Sequence, residues 1–574
     1  METRIRRFEG AELCPPGWMR STQGMRGLGS GPPKSWVALG SLTRFDLYLA
    51  DLEVAMLSTV RRGLLALTLV AGFLVAATGT VAAAPPQSSG PGTLAGLLME
   101  RVTIPRLQSA MNGGRLSSTA LTSFYLDRIN RIDPLVNAVL AVNGNALGQA
   151  AASDRVRRSS GPRSLLEGIP VLLKDNIDTA DQGATAGSEA LLAARPDDAE
   201  LVQRLRAAGA VIIGKANLSE WANFRDFNST SGWSAVGGQT NNPYVLDRNP
   251  CGSSSGSAAG VAASLAVVSI GTETNGSIVC PAGQTGVVGH KPTLGLVSGD
   301  GIIPISSEQD TAGPIARNVT DAAIVLDIID GVDQDYTEAF DPAALQGARL
   351  GVWTSATGDT SPEVDALFQQ TIARLQALGA TTVVVEPPLL DRVDANAFPA
   401  LLVEFADQID EYLAATPGPH PNDLAGLIAF NEARAATELQ YFCQEIFEIA
   451  LDTGGDVNDP GYLRSRQIAT RSAQLSIDST LARYKLDAIV APTNSPAWLT
   501  TLGEGDAFEF GSSSPAAVSG YPNVTVPMGY VGSLPIGISV FAGAGDDATV
   551  LGLAFAWEQA TQVRRAPTFR ATIG

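Results

Sequence analysis

Residues 251–282 read CGSSSGSAAGVAASLAVVSIGTETNGSIVCPA. In order, the stretch holds a Ser/Gly turn, a run of small residues (Ser257–Leu265) suited to a closely packed helix, and an apolar run (Ala266–Ile270) of strand length. A second polar turn follows around Gly276. A helix feeding a buried strand that ends in a glycine-rich turn is the repeating unit of an α/β protein. Such proteins gather their reactive groups at strand ends.

The same rhythm runs outward in both directions. Upstream, Gly168–Lys174 (GIPVLLK) is a short apolar strand entering a polar turn. Asp198–Ala208 reads as a helix closed by Gly209, and Ala210–Ile213 as a buried strand. Ile104–Asn112 and Ser118–Ile132 are amphipathic helices; in the second, Leu121, Phe124, Tyr125, Ile129 and Ile132 share one face. Downstream, helix Pro362–Leu378 precedes strand Thr381–Val385. The region 400–484 is mostly helical, with a Pro-rich break at Thr416–Pro421. Strand Leu486–Ala491 and a closing helix, Asp547–Thr561, complete the pattern. The alternation predicts an α/β fold whose sheet is covered by helices on both faces. No internal repeat is visible.

Composition limits the partners. The chain has 574 residues, 45% of them hydrophobic, ample for a large core. Its net charge of −19 and pI of about 4.6 disfavour nucleic acid and anionic membrane, which need a basic face. Two His and four Cys, with no CxxC pair and no Cys/His cluster, give no expectation of a metal or other cofactor. Of the 39 basic residues only Lys34, Lys174, Lys215, Lys291 and Lys485 are lysines. Arginine stays protonated near neutral pH, so a cationic residue that turns into a base must be one of these five.

The N-terminal part reads as an export signal placed late. Arg61 and Arg62 precede an apolar run, Gly63–Val81, and Ala82-x-Ala84 supplies a small-residue cleavage site ahead of Pro85 and Pro86. Residues 56–84 are therefore expected to be a signal peptide, 1–55 a misassigned extension ahead of a true start at Met56, and 85–93 a linker. The expected mature product begins after Ala84 and is secreted or periplasmic, with residues 94–574 as its catalytic domain and no membrane anchor.

Between Gly168 and Arg317 the chain is dense in Gly, Ser, Thr and Asn, and serine is the abundant nucleophile. A Ser–His–Asp triad needs a placed histidine. His420 lies in GPHPND, a loop-like stretch, and His290 in the tight turn GHKPT, where a structural role is expected. A lysine base is the alternative. Burial lowers an amine's pKa, and a neutral amine accepts a serine proton where an ammonium cannot. Lys174, Lys215 and Lys291 all qualify, and spacing alone does not choose among them. The turn Thr274, Asn275, Gly276, Ser277 offers consecutive N–H groups able to converge on one oxyanion. Taken singly, the Ser253–Ser255 run is equally a Ser/Gly loop capping a helix.

Together the segments CGSSSGSAAGVAA and GTETNGSIVCPA resemble the amidase signature family. The resemblance extends through Lys174-Asp175-Asn176, GKANLSE, QTNNPY, GHKPTLGLVS and SSEQDTAGPIAR, and returns in LDAIVAPT and SGYPNVTVPMGY. It implies the amidase signature fold, a large mixed sheet between helices, and a Ser–cis-Ser–Lys triad. By motif, Ser277 is the expected nucleophile, Ser253 the bridging serine in a cis peptide bond, and Lys174 the base. Ser254 is expected to orient Lys174 by hydrogen bonding, and the amides of Thr274–Ser277 to form the oxyanion hole. Asn275 stands where the family often has Gly, and is expected to tolerate the same backbone geometry. Cys251 and Cys280 flank the two serines; buried free thiols are the expectation, although export permits a disulfide. The pairing of GKANLSEWANFR with CGSSSGSAAG is most similar to bacterial peptide amidases, which implies a peptide or other small carboxamide as substrate. An aryl-acylamidase or esterase with the same triad, the glutaminase component of an amidotransferase, and a non-catalytic binding protein are the competing readings. Residues 400–484 and the Ser512–Pro515 loop are expected to shape access to the site.

Overall fold

The computed structural model describes residues 92–332 and 334–573. The expected extension and signal peptide, and all but the last two residues of the expected linker, lie outside them. Eleven strands form one mixed sheet: β1 (Val139–Val142), β2 (Pro170–Lys174), β3 (Val211–Ala216), β4 (Val268–Glu273), β5 (Val288–Lys291), β6 (Thr311–Ala316), β7 (Arg349–Val352), β8 (Thr381–Val384), β9 (Ala488–Pro492), β10 (Asn523–Val531) and β11 (Leu534–Phe541). Their order across the sheet is β8-β7-β9-β11-β10-β5-β6-β4-β2-β3-β1.

The inner strands are mostly buried on both faces, while the edge strands β1 and β8 are partly exposed. In β9, Ala488 and Val490 join the main core. Ile489 and Ala491 point the other way, into a cluster with Ile477 of helix Pro460–Tyr484. In β6, Ala312 and Ala316 face the main core. Ile315 faces Ala258, Ala262, Ile278 and Ala282, on or beside the helices Ser255–Ala262 and Val279–Gln284. Alternation of side chains along a strand feeds two cores at once. The sequence expectation of a sheet covered on both faces thus holds.

One pairing decides where the chemistry sits. β2 and β4 are parallel neighbours, with Val171 opposite Val268 and Leu173 opposite Ile270. Parallel strands end at the same edge of a sheet, so Lys174 and the GTETNGS turn emerge side by side. The return strand β6 pairs antiparallel with β4, Thr311 opposite Glu273, and brings Asp310 to that same edge.

The variable region is four helices: Leu390–Ala415, Leu424–Ala433, Glu445–Thr453 and Pro460–Tyr484. The break between the first two falls at the expected Pro-rich stretch. Part of the first helix packs with Leu191, Trp221, Phe224, Ile303 and Ile305 in a separate core beside the active edge. Among the described residues, no helix is long and apolar enough to cross a membrane.

Close backbone approach explains the small-residue helix Ser255–Ala262. A Cβ on Gly256 would lie 2.3 Å from the Ala138 carbonyl oxygen and 2.5 Å from that of Asn217. Both obstacles are backbone, which has little room to yield. Gly256→Ala is therefore expected to cost at least about 1–3 kcal/mol of stability, seen as a lower Tm in thermal unfolding. An unchanged Tm would contradict this packing.

Candidate active site

Every position of β2 is buried, and Lys174 at its end has no solvent exposure. Its Nζ lies 2.7 Å from Ser253 Oγ, 2.8 Å from Thr272 Oγ1 and 3.1 Å from the Thr272 carbonyl oxygen. Asn176 Nδ2 donates to the same Thr272 hydroxyl at 3.0 Å. Burial pushes the Lys174 pKa down to about 7, against the opposing pull of the Asp310 and Glu273 carboxylates. The other two buried lysines are otherwise engaged. Lys215 sits 3.4 Å from Asp175 and donates to the carbonyls of Ile177 and Gly183. Lys291 donates to the carbonyl of Pro292 at 2.9 Å. Among the described residues, Lys174 is the lysine that reaches one of the expected serines.

The Gly252–Ser253 peptide bond is cis, and the Ser253 side chain is fully buried. Ser254 differs from expectation. Its hydroxyl donates to the Thr272 carbonyl at 3.0 Å and accepts from the Thr272 amide at 3.2 Å. It therefore reaches Lys174 only through Thr272. The Ser254 amide donates to the Ser277 carbonyl at 3.1 Å, which ties the two serine turns together. Ser277 is half-buried and shares one cavity with Ser253. Among the described residues, no hydrogen bond joins the two hydroxyls.

The turn after β4 is built from its ends inward. Glu273 Oε2 accepts from the amides of Ile278 at 2.8 Å and Val279 at 3.0 Å, fixing the start of helix Val279–Gln284. Gly276 takes φ +84°, where a side chain is disfavoured. Asn275 does not share that conformation, so the left-handed residue of the turn is Gly276 and not the Asn. Asn275 instead makes side-chain hydrogen bonds to Ser513 and Ser514, so the Ser512–Pro515 loop braces the turn. Among the described residues, the amides of Thr274, Asn275, Gly276 and Ser277 have no protein acceptor. Thr274 Oγ1 donates to Asp310 Oδ1 at 2.5 Å. Asp310 Oδ2 accepts from the Ile305 and Ser306 amides at 2.7 and 2.9 Å. Burial raises the Asp310 pKa to about 6 despite these donors and nearby Lys174.

The cysteine expectation is overturned. Cys251 and Cys280 form a disulfide, with Cα atoms 5.9 Å apart. The Ser254–Ser277 backbone bond explains how residues 29 apart in sequence meet. The histidines play no part at the cavity. His290 Nε2 lies 3.0 Å from Asp547 Oδ1, and His420 bonds the carbonyls of Thr416 and Pro421.

The cavity measures about 240 Å³. Asn176, Ser253, Thr272, Thr274 and Ser277 contribute polar groups, and Leu294, Val297, Ile302, Ile303, Pro304 and Ile305 contribute apolar wall. A buried amine of lowered pKa, two hydroxyls and free amides around one small cavity are the parts of an acyl-transfer site. The sequence profile of the amidase family matches residues 120–551. The chain belongs to the amidase signature family. A probable amidase of Arabidopsis thaliana is 39% identical over 495 residues, 82% of this chain and 92% of that one. The crystal structure of a peptide amidase from Stenotrophomonas maltophilia superimposes with TM-score 0.79 at 47% identity, covering 82% of this chain and 99% of that one. A glutamyl-tRNA(Gln) amidotransferase component of Symbiobacterium thermophilum is 34% identical over 489 residues, 80% of this chain and 97% of that one.

This amidase is an amide-hydrolysing enzyme with the amidase signature fold. Three residues at its cavity escaped the sequence reading: Thr272, Asn176 and Asp310. Thr272 had a signal, since it lies two residues after the last predicted strand position, on the edge that carries Glu273. Its hydroxyl is the one group that touches both Lys174 and Asn176. Thr272→Val keeps the shape and removes those bonds, so kcat/KM is expected to fall about tenfold or more with the fold intact. Steady-state kinetics beside a circular dichroism melt checks this; full activity would remove Thr272 from the site.

Proposed function

We propose that this amidase hydrolyses C-terminal carboxamides of peptides through an acyl-enzyme on Ser277, with Ser253 as proton relay and Lys174 as base. The observation that carries the reading is the fully buried Lys174 amine, 2.7 Å from the hydroxyl of Ser253, which lines one cavity with Ser277. A neutral amine has one lone pair. With its N–H groups directed at Thr272, that lone pair takes the Ser253 proton while Ser253 takes the proton of Ser277. Ser277 Oγ then bonds to the amide carbon, and the oxyanion meets the free amides of Thr274–Ser277. Collapse breaks the C–N bond, and the relay hands the proton to the departing ammonia. Water repeats the sequence to release the acid.

The cavity supports a substrate class. Ligand pockets commonly hold ~300–1,000 Å³, so a smaller one takes a single residue and leaves the peptide outside. Its apolar wall suits an uncharged side chain next to the amide, because an unpaired charge there would lose its water. Asp310 offers no compensation, since both its oxygens already hold donors. The similar peptide amidase supports the same class. The export signal read at 56–84 supports an enzyme working outside the cytosol, which argues against an amidotransferase component. N-terminal sequencing of the exported protein is expected to begin near Pro85, and a mature chain starting before Met56 would refute that reading.

Single replacement of Ser277, Ser253 or Lys174 by Ala is expected to remove most activity, about 10³-fold or more. A fluorophosphonate should label Ser277 in the intact enzyme. Because the neutral amine is the active form, kcat/KM for Leu- or Phe-amide peptides should rise with pH through about 7 and then level off. Lys- and Glu-amides, anilides, esters and glutamine should be poorer substrates. Unchanged turnover in Lys174→Ala, or a pH profile flat across pH 7, would sink the mechanism. Preference for glutamine would favour the amidotransferase reading.

A further inference from the structure

The helices of the variable region do more than roof the cavity. Glu404, in helix Leu390–Ala415, and Arg466, in helix Pro460–Tyr484, are both buried and form a two-pronged ion pair, with Arg466 Nε donating to Glu404 Oε1 at 2.6 Å. Tyr462 Oη also donates to Glu404 Oε1 at 2.8 Å. Two further bonds leave this pair for the loop between the apolar wall and β6. Ser306 Oγ donates to Glu404 Oε2 at 2.6 Å, and Arg466 Nη1 donates to Gln309 Oε1 at 2.6 Å. Gln309 is buried, and its Nε2 donates to the carbonyl of Thr274 at 3.2 Å.

The chemistry of the donors makes this chain directional. Arginine only donates, so the Gln309 oxygen must face Arg466 and its NH₂ must face Thr274. The Thr274 carbonyl belongs to the same peptide unit as the Asn275 amide. In a planar trans peptide the two point in opposite directions, so holding one aims the other. Thr274 is held a second time through Oγ1 by Asp310, the residue after Gln309.

We propose that Gln309 is a positioning residue for amide hydrolysis, locked by the Glu404–Arg466 pair so as to orient the Thr274–Asn275 peptide at the oxyanion. The inference rests on the reading of Thr274–Ser277 as the oxyanion turn. It assigns the variable helices a part in the chemical step as well as in access.

Gln309→Glu separates this role from packing. The carboxylate is nearly isosteric and keeps its partner Arg466, but it cannot donate to the Thr274 carbonyl. The full-length enzyme carrying it is expected to melt as wild type, with kcat lowered about tenfold or more and KM within about twofold. Its second-order rate of inactivation by a fluorophosphonate should fall by the same factor, since that reaction uses the same oxyanion contacts. Arg466→Met, which frees the Gln309 amide, should lower kcat similarly, and the double variant should lose little more than either single one. A Gln309→Glu enzyme with wild-type kcat, or one altered in KM alone, would overturn the proposal. So would losses in the two single variants that simply multiply in the double. Ser277→Ala distinguishes the two levels. If it stays active, Ser277 is not the nucleophile and the proposed function on which the inference rests has failed. If it is dead while Gln309→Glu turns over normally, only the role of Gln309 has.

Discussion

The structure turns on an amine that has been denied water. Lys174 sits at the end of a strand buried at every position, with three hydrogen-bonding contacts to two residues, Ser253 and Thr272. An ordinary lysine side chain holds its proton up to about pH 10.5, and removing the solvent costs the charged form far more than the neutral one. Its hydrogen-bonding neighbours can accommodate that amine in its neutral state. Thr272 supplies acceptors for its N–H groups. Asn176 supplies the donor that fixes the Thr272 hydroxyl. A chain with 34 arginines and few lysines puts one of its lysines, a side chain able to lose its proton, at this point.

The sheet makes the arrangement possible. Because β2 and β4 run parallel, Lys174 and the Thr274–Ser277 turn leave the same edge without any long excursion. The Ser253 turn then has to be brought across from its own loop. The Ser254–Ser277 backbone bond does this, and the buried Cys251–Cys280 disulfide, packed with Trp498, ties the same two turns. Two covalently linked turns around two serines form a small closed frame, so motion of one is transmitted to the other.

Much of this was legible in the sequence, and the exceptions share a cause. Elements with a single strong period came through: helix Ile104–Asn112 and helix Asp547–Thr561 lie where the pattern places them. The strands β1, β5, β6, β7, β10 and β11 did not; in β5 and β6, VGHK and TAGPIA mix glycine, proline and polar residues that a sheet interior usually excludes. Tertiary packing overrides that preference: Gly313 lies so near the His290 carbonyl oxygen that a Cβ would sit 2.1 Å away. Motifs single out Lys174, Ser253 and Ser277, and the structure brings Lys174 to Ser253 while Lys215 and Lys291 have other partners. Asp310, Gln309, Glu404 and Arg466 could not be named. Each acts through a partner at least 35 residues distant, and no local pattern encodes such a meeting. The cysteine pair failed for the same reason.

Burial acts with opposite sign on Asp310 and Lys174. It lifts Asp310 from an ordinary 3.8 to about 6 and lowers Lys174 from 10.5 to about 7. A wide gap in water thus becomes a narrow one, and each group then depends on the other's charge. Desolvation alone would carry the lysine lower still, at the expense of its strength as a base; the Asp310 and Glu273 carboxylates pull it back. The compromise suits a catalyst. A base is most effective when its pKa lies near the working pH, where the deprotonated fraction and the affinity for a proton are both substantial. Asp310 also grips Thr274 and the Ile305–Ser306 backbone, so the carboxylate that balances the base also holds the turn that would receive the oxyanion. In the proposed mechanism, removing its charge would disturb proton transfer and oxyanion binding together. That coupling of two functions in one buried side chain explains why the loop bearing it is fastened so firmly, by Glu404 and Arg466, to the helices outside.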